Sequence, residues 1–185
     1  MQAPAVTRHR RPFLAPFWVM WLLFFVVLAG AFVVYEAATT TTVVLVRHAE
    51  KELVTIDNPP LTSAGERRAE RLAQIFGTAK GVGRIEGLYV TDTRRTQQTI
   101  MPLATRLGLK AAVMPPADVK GMVSRVMHEH RGGTALIVAH SDTLPEMIKR
   151  LSDVTIAPIG DDEYDNIYIV TVPTFGKVSV LRLKY

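Results

Sequence analysis

The sequence predicts a three-layer α/β/α sandwich with a mostly parallel sheet, a C-terminal antiparallel hairpin and one N-terminal transmembrane helix. Three observations carry that reading. The short runs VVLV (43–46) and TALIVA (134–139) are almost wholly apolar and rich in β-branched residues, which suits strands buried on both faces. Segments of helical period separate such runs, and that alternation builds a parallel sheet covered by helices. From Phe17 to Tyr35 there are 19 residues without one charge. A helix spreads such a run over about 28 Å, close to the thickness of a bilayer's hydrocarbon core.

The first 16 residues form a tail that carries Arg8, Arg10 and Arg11 and no acid. The segment 17–35 has no polar stripe, which a buried core helix would show. Trp18, Trp21 and Tyr35 sit near its ends, where amphipathic rings favour the membrane interface. The run continues five residues past Gly30, which favours an uncleaved anchor. The small residues Ala29-Gly30-Ala31 also fit a signal peptide whose cleavage would release a secreted domain. Basic residues flank the segment on the N-terminal side only, so the tail is expected in the cytoplasm and residues beyond 35 on the far side, periplasmic or extracellular. A mitochondrial membrane is a further location that an Arg-rich start permits. Residues 36–42 (EAATTTT) read as a linker, and 43–185 as the soluble domain.

Within that domain, 43–46 is the first strand. Ser63 and Glu66 have capping-box spacing, and Ala69, Leu72, Ala73, Ile75 and Phe76 supply the apolar stripe of a helix ending at Gly77. Residues 85–90 read as a strand, and 94–107 as a helix disturbed at Pro102 and closed by Gly108. Residues 109–114 read as a short strand. The spacing of Val119, Met122, Val123, Val126 and Met127 places a helix over 117–131. After TALIVA come a short helix over 144–151 and a hairpin of 167–172 and 177–183 about a turn at 173–176.

Composition excludes several classes. Of 185 residues, 48% are hydrophobic and 21% charged, which is not a disordered chain. Cysteine is absent, so disulfides, Cys-ligated metals and thiol nucleophiles are excluded. The net charge of +5 comes largely from the tail: residues 36–185 hold 19 basic and 17 acidic residues, a net of +2. That balance gives no support to nucleic-acid binding.

In open α/β sheets, ligands sit beyond the carboxyl ends of the strands. There the sequence places Arg47 and His48 after the first strand, Thr91, Asp92, Arg94 and Arg95 after the second, and His140, Ser141 and Asp142 after TALIVA. Arginine forks match phosphoryl oxygens, and a neutral imidazole nitrogen can attack phosphorus.

Four blocks carry a resemblance. LVRHAEK (45–51), DNPPLTSAGERRA (57–69), YVTDTRRTQQTI (89–100) and ALIVAHSDTLPEMI (135–148) resemble, in that order, the conserved blocks of the histidine phosphatase superfamily, which includes the cofactor-dependent phosphoglycerate mutases. Thr91 stands where the third block usually has Ser. The resemblance implies a phosphoglycerate mutase-like fold over about 43–185 and a small phosphatase that needs no metal or cofactor. It implies that His48 is the nucleophile that becomes phosphohistidine, that Arg47 and Arg95 bind phosphate, and that His140 contacts the phosphoryl oxygens. Arg95 is preferred to Arg94 because it stands three residues before Gln98-Thr99; Arg94 is a candidate at the rim. For a general acid the candidates are Asp142 and Glu50, since Ser141 follows His140 and the 109–118 stretch offers only Asp118.

The expected activity is therefore membrane-anchored hydrolysis of phosphomonoesters or phosphohistidine, on a small-molecule, lipid-linked or protein substrate. The alternatives are a phosphoglycerate mutase-type phosphotransferase, for whose lid segments 43–185 leaves little room, and a non-catalytic phosphate-binding module. The sequence assigns no oligomeric state. Three other features carry no function in this reading. His128-Glu129-His130 is a solvated helix end, because residues two apart on a helix diverge. Residues 77–83 form a turn, and Asp161-Asp162-Glu163 a solvated acidic run.

Overall fold

The structure, a computed structural model, describes residues 16–54, 57–78 and 83–185. The chain divides into two units, Met1–Tyr35 and Glu36–Tyr185. The expected basic tail falls almost wholly outside the described residues, as do Ile56 and most of the glycine-rich 77–83 turn.

In the first unit the apolar segment is helical. Helix α1, Phe17–Thr39, is long and apolar enough to cross a membrane, a property it shares with signal sequences near an N-terminus. Its large apolar side chains from Phe17 to Tyr35 are exposed.

The expected extended linker at 36–42 is not what forms. The helix runs to Thr39, and strand β1, Thr41–Arg47, follows after one residue. Thr40 closes the last helical turn, its backbone N–H and its hydroxyl both donating to the Glu36 carbonyl at 3.0 and 2.7 Å. Thr41 and Thr42 then join the sheet opposite Val172 and Thr171, a pairing that β-branched residues favour.

The remaining elements are α2 (Ser63–Thr78), β2 (Ile85–Thr91), α3 (Arg94–Leu107), β3 (Ala111–Met114), α4 (Val119–Glu129), β4 (Thr134–Ala139), α5 (Leu144–Ser152), β5 (Asn166–Val172) and β6 (Ser179–Lys184). The sheet order is β3-β2-β4-β1-β5-β6, with the first four strands parallel and β5 and β6 antiparallel.

Strand alternation divides the core into two layers. Val43 and Leu45 of β1 and Ala135, Ile137 and Ala139 of β4 face α4 and α5, packing on Met122, Val126, Met147 and Ile148. Val44, Val46, Leu136 and Val138 face the opposite way, onto Leu72 and Phe76 of α2 and Ile100 and Leu103 of α3. Both central strands are thus buried on both faces, which is why they read as continuous apolar runs.

Two local expectations shift. The N-cap of α2 is Thr62 rather than Ser63, its hydroxyl accepting from Gly65 N at 3.0 Å. Helix α3 continues through Pro102 and ends in Gly108 at φ 67°, where Leu109 N–H reaches the Ala104 carbonyl at 3.0 Å. The order β2-β4-β1 puts the carboxyl ends of three parallel strands side by side, and that edge positions the site.

Candidate active site

Arg47 ends β1, and His48 continues its line by donating its backbone N–H to Ala139 O at 2.9 Å. The loop beyond is stapled to α3: Ala49 N–H donates to Thr99 Oγ1 at 3.0 Å and Leu61 N–H to Gln98 Oε1 at 2.9 Å. The Gln-Thr pair of the third sequence block therefore holds the backbone of the first two. Arg95 rises from the opening turn of α3, one residue past its start.

These elements bring Arg47, His48, Arg95 and His140 to one cavity of about 860 Å³, which Asp142 and Tyr164 also line. The two imidazole rings lie 5.4 Å apart between centroids, inclined at 61°. Arg47 is gripped by the α5–β5 loop: its Nη1 donates to Gly160 O at 2.6 Å and to Glu163 O at 3.3 Å, and its guanidinium lies 4.2 Å from the Tyr164 ring centroid. Among the described residues, neither Arg47 Nε nor Arg95 Nε has an acceptor, although both atoms are buried. Buried N–H donors of that kind suit an anionic ligand, because leaving them unpaired is costly.

The protonation of both histidines follows from their partners. His48 Nδ1 lies 2.8 Å from Ala49 O, and a carbonyl only accepts, so Nδ1 carries the hydrogen and Nε2 the free lone pair. Burial pushes His48 down to about 3, with His140, Arg95 and Arg47 adding to the effect and the bond to Ala49 opposing it. Burial pushes His140 down to about 4, helped by Arg95 and Arg47 and opposed by Asp142 and Asp92. Burial also lowers Arg95 below its usual value, with Asp142 opposing and Arg47 assisting. At neutral pH both rings are therefore neutral, and the basic side chains that line the cavity are Arg47, Arg95 and Lys51.

The two acid candidates separate. Asp142 lines the cavity. Glu50 does not: Arg68 Nη2 reaches its Oε1 at 2.7 Å and Nε reaches both oxygens at 2.9 Å. That pair is half-buried, and it holds the Glu50 carboxyl below its ordinary value against the opposing effect of burial. Arg94 is exposed and outside the cavity lining, its backbone N–H donating to Asn58 Oδ1 at 2.8 Å. Asp118 caps α4 through Gly121 N at 2.9 Å.

Other features of the sequence take different places from those expected. Asp161 and Asp162 are solvated and also line the cavity. Glu129 and His130 are not simply a solvated helix end. The Tyr89 hydroxyl donates to Glu129 Oε2 at 2.6 Å, and His130 Nε2 lies 2.9 Å from the Tyr89 hydroxyl oxygen, away from the strand ends that form the site. Among the described residues, no group of three or more His, Asp or Glu is placed to hold a metal ion. Tyr164 was not legible in the sequence, because its role depends on a loop that returns from far along the chain. Thr91 was visible at the end of the second strand and as a departure from Ser.

Comparisons with known proteins agree with this fold. Residues 43–116 match the model of the histidine phosphatase superfamily (branch 1). No curated protein matches the chain by sequence. Among solved structures, the protein histidine phosphatase SixA complexed with tungstate is similar at a TM-score of 0.64 and 20% identity, over 77% of this chain and 96% of that one. The mycobacterial glucosyl-3-phosphoglycerate phosphatase gives 0.61 and 13%, over 79% and 98%. A phosphoglycerate mutase from Plasmodium falciparum gives 0.58 and 14%, over 78% and 91%. At these identities the structural likeness speaks for the fold, while the matched segment runs from β1 through the His48 loop and Arg95 to the end of β3. The chain is similar to the histidine phosphatase superfamily over the matched segment 43–116, and it shares its fold with the solved phosphatases named above.

Proposed function

We propose that the chain is a metal-independent phosphatase that hydrolyses phosphomonoesters or phosphohistidine through a covalent phosphohistidine on His48. The observation that carries the reading is the pairing of a neutral His48, its Nδ1–H committed to Ala49 O, with two arginines whose buried Nε atoms have no acceptor among the described residues. His48 Nε2 attacks phosphorus in line, forming an N–P bond as the bond to the leaving oxygen breaks. Arg47 and Arg95 take the charge that develops on the equatorial oxygens, and His140 joins them when a proton lies between its ring and a phosphoryl oxygen. Asp142 protonates the leaving oxygen. A water then attacks phosphorus and gives a proton to the Asp142 carboxylate, the N–P bond breaks, and His48 returns neutral with phosphate released. Because arginines supply the positive charge, no metal ion enters the scheme.

The substrate is a phosphorylated small molecule, lipid-linked phosphate or protein. SixA, a protein histidine phosphatase, supports including phosphohistidine. In this reading 17–35 is a single-pass anchor with the tail 1–16 in the cytoplasm and 43–185 exported. The length and apolarity of α1 support the anchor, and the one-sided Arg cluster supports the orientation.

The test is hydrolysis of an aryl phosphate by the full chain in detergent, with and without EDTA, and with added vanadate or tungstate. Turnover that survives the chelator and is blocked by the oxyanions is expected. Loss on chelation that zinc or magnesium restores would overturn the metal-independent scheme.

A further inference from the structure

Thr91 is fully buried at the end of β2, behind the cavity rather than in its lining. Its Oγ1 lies 2.9 Å from His140 Nε2, 2.9 Å from Thr96 Oγ1 and 3.1 Å from Thr93 Oγ1. Thr96 is also fully buried, and its hydroxyl donates to the backbone carbonyls of Thr91 and Thr93 at 3.0 and 2.9 Å. With its one hydrogen spent there, Thr96 Oγ1 can only accept, and Thr93 Oγ1 lies 3.1 Å from both hydroxyls, so the Thr91 hydrogen has acceptors away from His140 and a lone pair is free to face the ring. On the other side of the ring, Arg95 Nη2 stands 3.4 Å from His140 Nδ1. A guanidinium has no acceptor, so Nδ1 faces it as a lone pair and the ring hydrogen resides on Nε2. Every donor in the series His140 Nε2, Thr91 Oγ1, Thr96 Oγ1 then has an acceptor, ending on main-chain oxygens.

We propose that Thr91 is a positioning residue that accepts the Nε2–H of His140, fixes that tautomer and thereby presents Nδ1 to the phosphoryl group. The inference rests on the phosphatase reading above for its substrate, but the tautomer does not depend on turnover. A phosphoryl oxygen cannot bond a bare Nδ1 lone pair. One proton must lie between them, carried in by a monoanionic phosphate or taken from solvent. Thr91 accepts from Nε2–H whether or not Nδ1 is protonated, so it supports the ring in both states. The groups that face His140 are Arg47 on β1, His48 beyond it, Asp92 after β2, Arg95 on α3 and Asp142 on its own loop. The two arginines oppose protonation and the two aspartates favour it, which makes a neutral acceptor behind the ring more consequential. The hydroxyl is what this role needs, so Ser in the position that the family pattern usually gives to Ser should serve equally.

The experiment uses the full chain in detergent micelles, 15N-labelled at histidine, with His140 assigned by comparison with His140→Gln. Long-range imidazole spectra at pH 7 report which nitrogen carries hydrogen. The expected result is an Nε2–H tautomer in the wild type and in Thr91→Ser, and an Nδ1–H or mixed population in Thr91→Val. In parallel, kcat/KM for an aryl phosphate should fall about tenfold or more in Thr91→Val, and its alkaline limb should move to lower pH, because the protonated ring has lost its acceptor. Thr91→Ser should restore both to within about twofold. An Nδ1–H tautomer in the wild type would overturn the proposal even if Thr91→Val failed to fold. So would a Thr91→Ser variant as impaired as Thr91→Val, which would mark Thr91 as packing. A wild type inert toward every phosphate tested, but with the Nε2–H tautomer, would instead overturn the phosphatase reading and leave the tautomer assignment standing.

Discussion

At the level of single residues, some side chains of the site react and others hold them in place. His48→Ala should abolish turnover while leaving a folded protein. Arg47→Ala and Arg95→Ala should each remove transition-state stabilisation on the order of 2–4 kcal/mol, read as kcat/KM on an aryl phosphate. Asp142→Asn should slow alkyl phosphates more than aryl phosphates, because an alkoxide depends more on a donated proton. Equal slowing of both would assign Asp142 a positional role. Glu50→Gln should show no such leaving-group dependence, since its carboxylate is bound to Arg68. His48, Arg47, Arg95 and His140 were legible because each follows a strand or opens a helix at one sheet edge, a placement that a linear sequence encodes. The Glu50–Arg68 pair was not. It depends on how the 50–62 loop folds back on α2, and no spacing rule reports that.

The element that most constrains the site is the start of α2 against the loop beyond β1. Gly65 is buried, and a Cβ there would strike the Glu50 carbonyl, which already accepts from Thr62 N at 2.9 Å. The clash sets a Cβ, which no rotamer moves, against a backbone oxygen. Gly65→Ala should therefore cost about 1–3 kcal/mol in denaturant unfolding and lower kcat by shifting the His48 loop. An unchanged midpoint and kcat would show that this contact is slack.

The strands and most helices were legible to within a few residues, because burial on one or two faces imposes period 2 or 3.6. What was not legible was decided by partners. Thr41 and Thr42 read as linker until β5 stands beside them. Thr62 rather than Ser63 caps α2 because its backbone accepts from Glu66 N and its hydroxyl from Gly65 N. Helix α3 absorbs Pro102 because Ile100 and Leu103 on either side of it are buried against the sheet.

Across the whole molecule, two neutral buried histidines link the site to stability. Their folded values lie near 3 and 4, against 6.5 when unexposed to neighbours. Above about pH 6.5 neither state binds the protons and the contribution is complete. As pH falls through the window from 6.5 toward 4, the unfolded chain takes up protons that the folded one refuses, so stability drops by at most about 1.4 kcal/mol per histidine per pH unit. Thermal unfolding from pH 7.5 to 4.5 should show that loss, and a His48→Gln/His140→Gln variant should show a flatter profile. Topology is testable at the same scale: a C-terminal reporter active only outside the cytoplasm should work, and one active only inside should be silent. The reverse would place 43–185 in the cytoplasm. The covalent intermediate is the central claim, and a rapid quench after mixing the full chain with 32P-labelled substrate tests it most directly. The account predicts an acid-labile, base-stable label on the peptide that contains His48, absent from His48→Asn. Turnover with the label on another residue, or persisting in His48→Asn, would contradict it.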